Sequence, residues 1–259
     1  MRSGRRTGRQ RNKAKGESAA AGKAGRGAWR LHMPAGSGRK EMDIQEYIVF
    51  CMELVGTIAF AASGAMVGID RRMDVFGVCV LGVVTAVGGG MVRDVILGNI
   101  PGALVRPVYV AVAVAAALLV FLVLYFKKGL LQGKTGLLYD RVMLVMDSVG
   151  LGIFTAMGVM TGIRNGYLDN TFLLVFVGTL TGVGGGLLRD MMAGVPPYIF
   201  VKHIYACASV VGALGCVWSY RSFGQIPAVV LSSALVIAIR FLAAYYHWNL
   251  PHMKQDVSL

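Results

Sequence analysis

Apolar residues arrive in seven runs of roughly 20, at 47–67, 75–97, 104–126, 141–161, 171–193, 199–220 and 226–246. A bilayer core about 30 Å thick takes roughly that many residues at 1.5 Å each, so every run predicts a membrane-spanning helix. Polar or Gly- and Pro-rich breaks divide the runs. They fall at Asp70-Arg71-Arg72, Asn99-Ile100-Pro101-Gly102, Lys127 to Asp140, Arg164-Asn165-Gly166, Pro196-Pro197 and Arg221 to Pro227. The pattern predicts an all-α integral membrane protein with seven transmembrane helices.

Composition agrees: 56% of residues are hydrophobic, 15% are charged, and the mean hydropathy is +0.62. A water-soluble domain carries about a quarter charged residues. The net charge of +13 is informative only once it is located. Residues 1–41 hold twelve Lys and Arg against Glu17 and Glu41, so this segment carries most of the excess. Rich in Gly and basic residues and poor in apolar ones, it predicts a disordered basic tail. Arg-Gly segments can serve as RNA-binding arms, yet no nucleic-acid partner is expected here. Met42, opening a segment that leads directly into the first apolar run, is the expected start of the protein. In the short loops, Lys and Arg gather after spans 1, 3 and 5 and at the C-terminus. Arg106, Arg164 and Arg221 alone follow spans 2, 4 and 6. The bias of basic residues to the inner side predicts a cytoplasmic C-terminus and an external residue 42. Arg240, within the last span, is expected to snorkel to the interface near Tyr245, Tyr246 and Trp248.

An internal repeat organises these spans. Shifted by 96 residues, GVVTAVGGGMVRDVILGNIPG (82–102) lies on GTLTGVGGGLLRDMMAGVPPY (178–198), and ten of the 21 positions are identical. At a shift of 94, Glu53 meets Asp147, Gly56 meets Gly150, Phe60 meets Phe154 and Gly64 meets Gly158. Each copy has three spans, so the second sits inverted relative to the first. The expected units are the tail (1–41), a first repeat (42–134), a second, inverted repeat (135–225), and a seventh helix with a short C-terminal tail (226–259).

Each copy carries Gly-Gly-Gly-x-x-Arg-Asp. Three glycines in mid-span favour a kink or break, since each weakens a helix by about 1 kcal/mol relative to Ala. Backbone groups freed there would have to line a wet cavity or be buried by protein. Gly88, Gly89, Gly90, Gly184, Gly185 and Gly186, with Thr85 and Thr181 beside them, are therefore candidate pore-lining residues for a cation. The alternative is close helix packing by small residues. A dinucleotide loop is excluded, because no βαβ unit surrounds the glycines. The intramembrane charges Glu53, Arg93, Asp94, Asp147, Arg189 and Asp190 are costly and should face partners or water. Glu53 lies about 9 Å into span 1 from outside, and Arg93 about 27 Å along span 2 from the other side. Depth thus pairs Glu53 with Arg93 and Asp147 with Arg189, leaving Asp94 and Asp190 as further acceptors. Such pairs either brace the bends or serve gating and ion attraction. The four cysteines and four histidines show no ligand spacing, so no metal, cofactor or enzymatic constellation is expected.

The stretches VGTIAFAASGAMVG and DVFGVCVLGVVTAVGGGMVRDVILG, then GTLTGVGGGLLRD with Pro196, Pro197, Phe200 and Tyr205, resemble the prokaryotic trimeric intracellular cation channel family. That bacterial family is also labelled glycine-transporter-like, and the likeness spans about residues 46–246. It implies a homotrimer in the bacterial cytoplasmic membrane, in contact with lipid. Each subunit would have its own pore between two helices bent at the Gly triplets, passing monovalent cations, chiefly potassium. The Lys-Glu-Val pore signature of the animal members is absent. The alternative function is a secondary transporter for a small zwitterion such as glycine; a structural membrane protein with a closed core stands third.

Overall fold

The computed structural model describes residues 44–126, 136–201, 204–246 and 248; the expected basic tail over 1–41 lies outside them. Among the described residues there are nine helices and no strand. They are α1 (Ile44–Asp70), α2 (Val75–Ile96), α3 (Gly102–Val105), α4 (Val108–Phe126), α5 (Gly136–Arg164), α6 (Thr171–Met192), α7 (Tyr198–Val201), α8 (Ile204–Phe223) and α9 (Gln225–Tyr245). Six of these, α1, α2, α4, α5, α6 and α9, are long and apolar enough to cross a membrane. Helix α8 has 20 residues and falls outside that set, with Ser209, Ser219 and Arg221 along it. The chain is an all-α, multi-pass membrane protein.

Two expected spans begin differently from the pattern of apolar residues. The run 104–126 is split, because Pro107 has no N–H to donate and holds Arg106 in an extended conformation (φ −120°, ψ 86°). The short α3 precedes this break, and α7 stands in the same place before α8 in the second copy.

The copies share their local chemistry. Asp74 caps α2 by accepting from the Gly77 N–H at 2.7 Å, and Asn170 caps α6 by accepting from Leu173 at 3.0 Å. Both helices end on a glycine with positive φ, Gly98 (72°) and Gly194 (66°). The turns that close α1 and α5 differ: Gly166 takes the left-handed conformation in one, and Arg72 (φ 57°) takes it in the other.

Helices α2 and α6 cross at the centre, with α1 and α5 packed beside them and against each other. Both run uninterrupted through their Gly triplets. The middle glycines serve instead to bring two backbones together. A methyl on Gly89 would strike the Thr181 carbonyl oxygen, and one on Gly185 would strike that of Thr85. Likewise Gly56 makes room for the Phe154 ring and Gly150 for the Phe60 ring, and these rings stack with centroids 5.3 Å apart. Every such contact joins residue i of one copy to j of the other and j to i, the signature of a two-fold relation. With three helices per copy, this is an inverted repeat. Helix α4 lies at the periphery, exposing Leu119, Leu122, Val123 and Phe126, as suits lipid or a neighbouring subunit.

Candidate functional site

Each copy assembles one acidic residue, one tyrosine and its Arg-Asp pair. In the first, Glu53 on α1 accepts a hydrogen bond from the Tyr109 hydroxyl on α4. Arg93 on α2 turns to its neighbour Asp94 (2.7 Å), whose other oxygen accepts from the Gly102 N–H at 2.8 Å and so anchors α3. In the second, Arg189 bridges Asp147 and Asp190, both at 2.8 Å, and also donates to the Ser63 hydroxyl. Asp190 accepts from the Tyr198 N–H at 2.9 Å, anchoring α7 as Asp94 anchors α3. Tyr205 stands 3.5 Å from Asp147 through its hydroxyl. Tyr109 and Tyr205 are equivalent at the same shift of 96.

The two sets differ in access to water. Glu53, Arg93, Asp94 and Tyr109 border a cavity of about 390 Å³, which Arg106 and Arg164 also line. Its inner wall is made by Gly90, Thr57, Ala86 and Phe154. The second set is sealed: the side chains of Arg189 and Asp147 are 0% and 1% exposed, against 14% for Arg93. Two buried ions are tolerable only when paired and hydrogen-bonded, which the bridge from Arg189 to two carboxylates supplies.

The structure thus brings Asp147 and Arg189 together. Glu53 and Arg93 share a cavity, but no ion pair joins them; each prefers the partner named above. Of the eight candidate pore residues, Gly90 borders the cavity. Thr85, Gly88, Gly89, Thr181, Gly184, Gly185 and Gly186 are buried between helices. The Thr85 and Thr181 hydroxyls donate to the carbonyls of Leu81 (2.6 Å) and Val177 (2.5 Å) on their own helices. Gly64 and Gly158 leave space for those hydroxyls in the neighbouring helices. Among the described residues, no group of three or more His, Cys, Asp or Glu gathers to hold a metal.

Three residues of these sites escape a reading of single motifs. Tyr109 becomes visible only when the 96-residue alignment is carried seven positions past Gly102, where it meets Tyr205 of the second copy. Ser63 lies in the other copy from the arginine it serves. Arg240 is a correction. Instead of snorkelling to the interface it is buried, 3.6 Å from Asp147, with its guanidinium 4.8 Å over the Tyr205 ring. It belongs to the helical face Val229, Ser233, Val236, Arg240 and Ala243, all buried. The spacing of four, three, four and three residues marks the inward side of α9, and a carboxylate waits there.

Fold and site together define a multi-pass membrane protein of inverted three-helix repeats, with one charged half-site per repeat and one of them open. The family model described as Glycine transporter matches twice, at residues 50–125 and 144–221, once in each copy. The inner membrane protein YadS of Escherichia coli (strain K12) is 35% identical over 214 residues, covering 81% of this chain and 98% of its own. A solved structure described under the structural basis for conductance through TRIC cation channels superposes with a TM-score of 0.69. It is 30% identical and covers 81% of this chain and 98% of its own. The TRIC trimeric intracellular cation channel orthologue from Rhodobacter sphaeroides gives a TM-score of 0.68 at 27% identity, over 78% of this chain and 99% of its own. The chain belongs to this family, the prokaryotic trimeric intracellular cation channels that also carry the glycine-transporter label.

Proposed function

We propose that the protein is a channel for monovalent cations, chiefly potassium, in the bacterial cytoplasmic membrane. It works as a homotrimer in which each subunit has its own pore along the crossing of α2 and α6. The observation that carries this reading is the water-accessible cavity that reaches from Glu53 to Gly90, the last glycine of the α2 triplet. Glu53 is its cation-attracting group, since Asp94 is neutralised by Arg93 and Glu53 makes no ion pair among the described residues. Arg106 and Arg164 on the same wall oppose it and limit how strongly a cation is held. The path continues past the Gly triplets to the half-site around Asp147, where it is shut. Separation of α2 from α6 would turn the carbonyls of Thr85 and Thr181 from packed neighbours into ion ligands, as partly dehydrated cations require.

The repeats comprise residues 42–134 and 135–225, with 226–259 added after them. The C-terminus faces the cytoplasm, on the strength of the basic loops. Purified protein in a planar bilayer tests the channel reading. Unitary currents should appear under a potassium gradient and reverse near the potassium equilibrium potential when sodium replaces potassium on one side. No current, together with saturable glycine uptake into vesicles, would overturn it.

A further inference from the structure

The seventh long helix, α9, belongs to neither repeat, yet it contributes a charge to one half-site. Arg240 reaches the Asp147 oxygen that Arg189 leaves free, at 3.6 Å, and lies over the Tyr205 ring. That distance is beyond a hydrogen bond. Both the Asp147 Oδ2 and the Arg240 Nε are buried with no hydrogen-bond partner, as is the Arg189 Nη2. The closure therefore differs in kind from the contact beneath it. Arg189 holds Asp147 and Asp190 at 2.8 Å, donates to Ser63 and faces the Tyr198 ring. Arg240 closes the same site through one loose ion contact and one ring face, leaving polar atoms that water would satisfy. The first half-site has the equivalent acid, tyrosine and Arg-Asp pair. Its further arginine, Arg106, stands beside Tyr109 on the cavity wall without an ion pair to the acid among the described residues, and the site is open.

We propose that Arg240 is a latch. Held between Asp147 and Tyr205, it keeps α9 seated on α5 and the second half-site dry. Its release admits water there and creates a cavity equivalent to the one around Glu53. Arg189 stays in place and Arg240 moves, because among the described residues Arg189 has four partners and Arg240 two. The latch rests on the channel reading for its consequence, the opening of the path at its closed end; its geometry does not depend on that reading.

The test uses the full chain with its four cysteines replaced by alanine and one cysteine introduced as Ser63→Cys, at a buried position beside Arg189. Purified protein in vesicles is exposed to a small, charged methanethiosulfonate. The thiol should be protected while Arg240 is present and react about tenfold faster in Arg240→Gln, the change expected when a minor open state grows from a percent to a tenth of molecules. Leu174→Cys, fully buried on α6, should stay protected in both backgrounds. Should Arg240→Gln not fold, Arg240→Lys replaces it, keeping the charge while losing the planar group that stacks, and should give a smaller increase. Equal rates with and without Arg240 in folded protein would overturn the latch, as would an equal rise at Leu174→Cys, which signals general loosening. In bilayers, Arg240→Gln should raise the open fraction of currents the parent shows. If neither protein conducts, the channel reading fails while the labelling still judges the latch.

Discussion

The half-sites around Glu53 and around Asp147 are built from equivalent residues and end in opposite conditions. Both have an acid on the first helix of the copy, an Arg-Asp pair at the end of the second, and a tyrosine on the third. One opens on a cavity of about 390 Å³ and the other excludes water. The difference lies in what surrounds the shared set. Arg189 finds the Ser63 hydroxyl, whereas the position equivalent to Ser63 is Met157, which cannot donate and lines the cavity instead. Asp147 draws a second arginine from α9, whereas among the described residues Glu53 forms no ion pair, and Arg106 and Arg164 stand apart from it on the cavity wall. Duplication fixes which residues share a half-site; their differing neighbours decide how they pair and whether water reaches them.

The comparison is broken most severely at its arginines. Arg189→Ala leaves Asp190 buried without a cation and Asp147 with only the loose contact to Arg240. It should cost about 3–5 kcal/mol, seen as a large drop in melting temperature in detergent. Arg93→Ala, at the wet site, should cost only about 1 kcal/mol. Equal losses at the two positions would mean that the open half-site is not wet. Next come the glycines, where the copies should behave alike. Gly89→Ala and Gly185→Ala each drive a methyl into the opposite backbone and should cost roughly 3 kcal/mol. The neighbouring Gly90→Ala meets only the end of Arg93, at 3.7 Å, and should leave stability nearly unchanged.

Glu53→Gln sharpens the contrast functionally. One charge about 7 Å from a passing ion in water is worth roughly 0.6 kcal/mol, so potassium conductance should fall about threefold while the melting temperature holds. An unchanged conductance would remove Glu53 from the ion path. The smallest effect belongs to the turns. Arg72 occupies the left-handed conformation that Gly166 takes in the second copy. Arg72→Gly should therefore stabilise the protein by about 0.5–1 kcal/mol, strain relieved minus the flexibility glycine adds to the unfolded chain, as chemical denaturation would read.

Much of this was legible in the chain. Apolar runs located the long helices, because hydrocarbon thickness sets their length whatever their neighbours. The 96-residue repeat and an odd number of spans per copy implied inversion, and depth counting along helices joined Asp147 to Arg189. The pair it gave in the other copy, Glu53 with Arg93, forms no ion pair, because each has a nearer partner in Tyr109 and Asp94. Other features depended on contacts between distant residues. The Gly triplets read equally as a helix break or as a close approach. Only the crossing of α2 and α6 shows the middle glycines between two backbones, with the helices unbroken. Arg240 could have snorkelled outward from a helix lying alone; a carboxylate with a free oxygen on α5 turned it inward.

Local and periodic features, the positions of the long helices and the duplicated set of charges, follow from the chain alone. Which half-site holds water and which is shut depends on how distant helices pack. Access to water is a property of the whole packing around a charge, and burial of an ion is stable only where distant helices supply its partners.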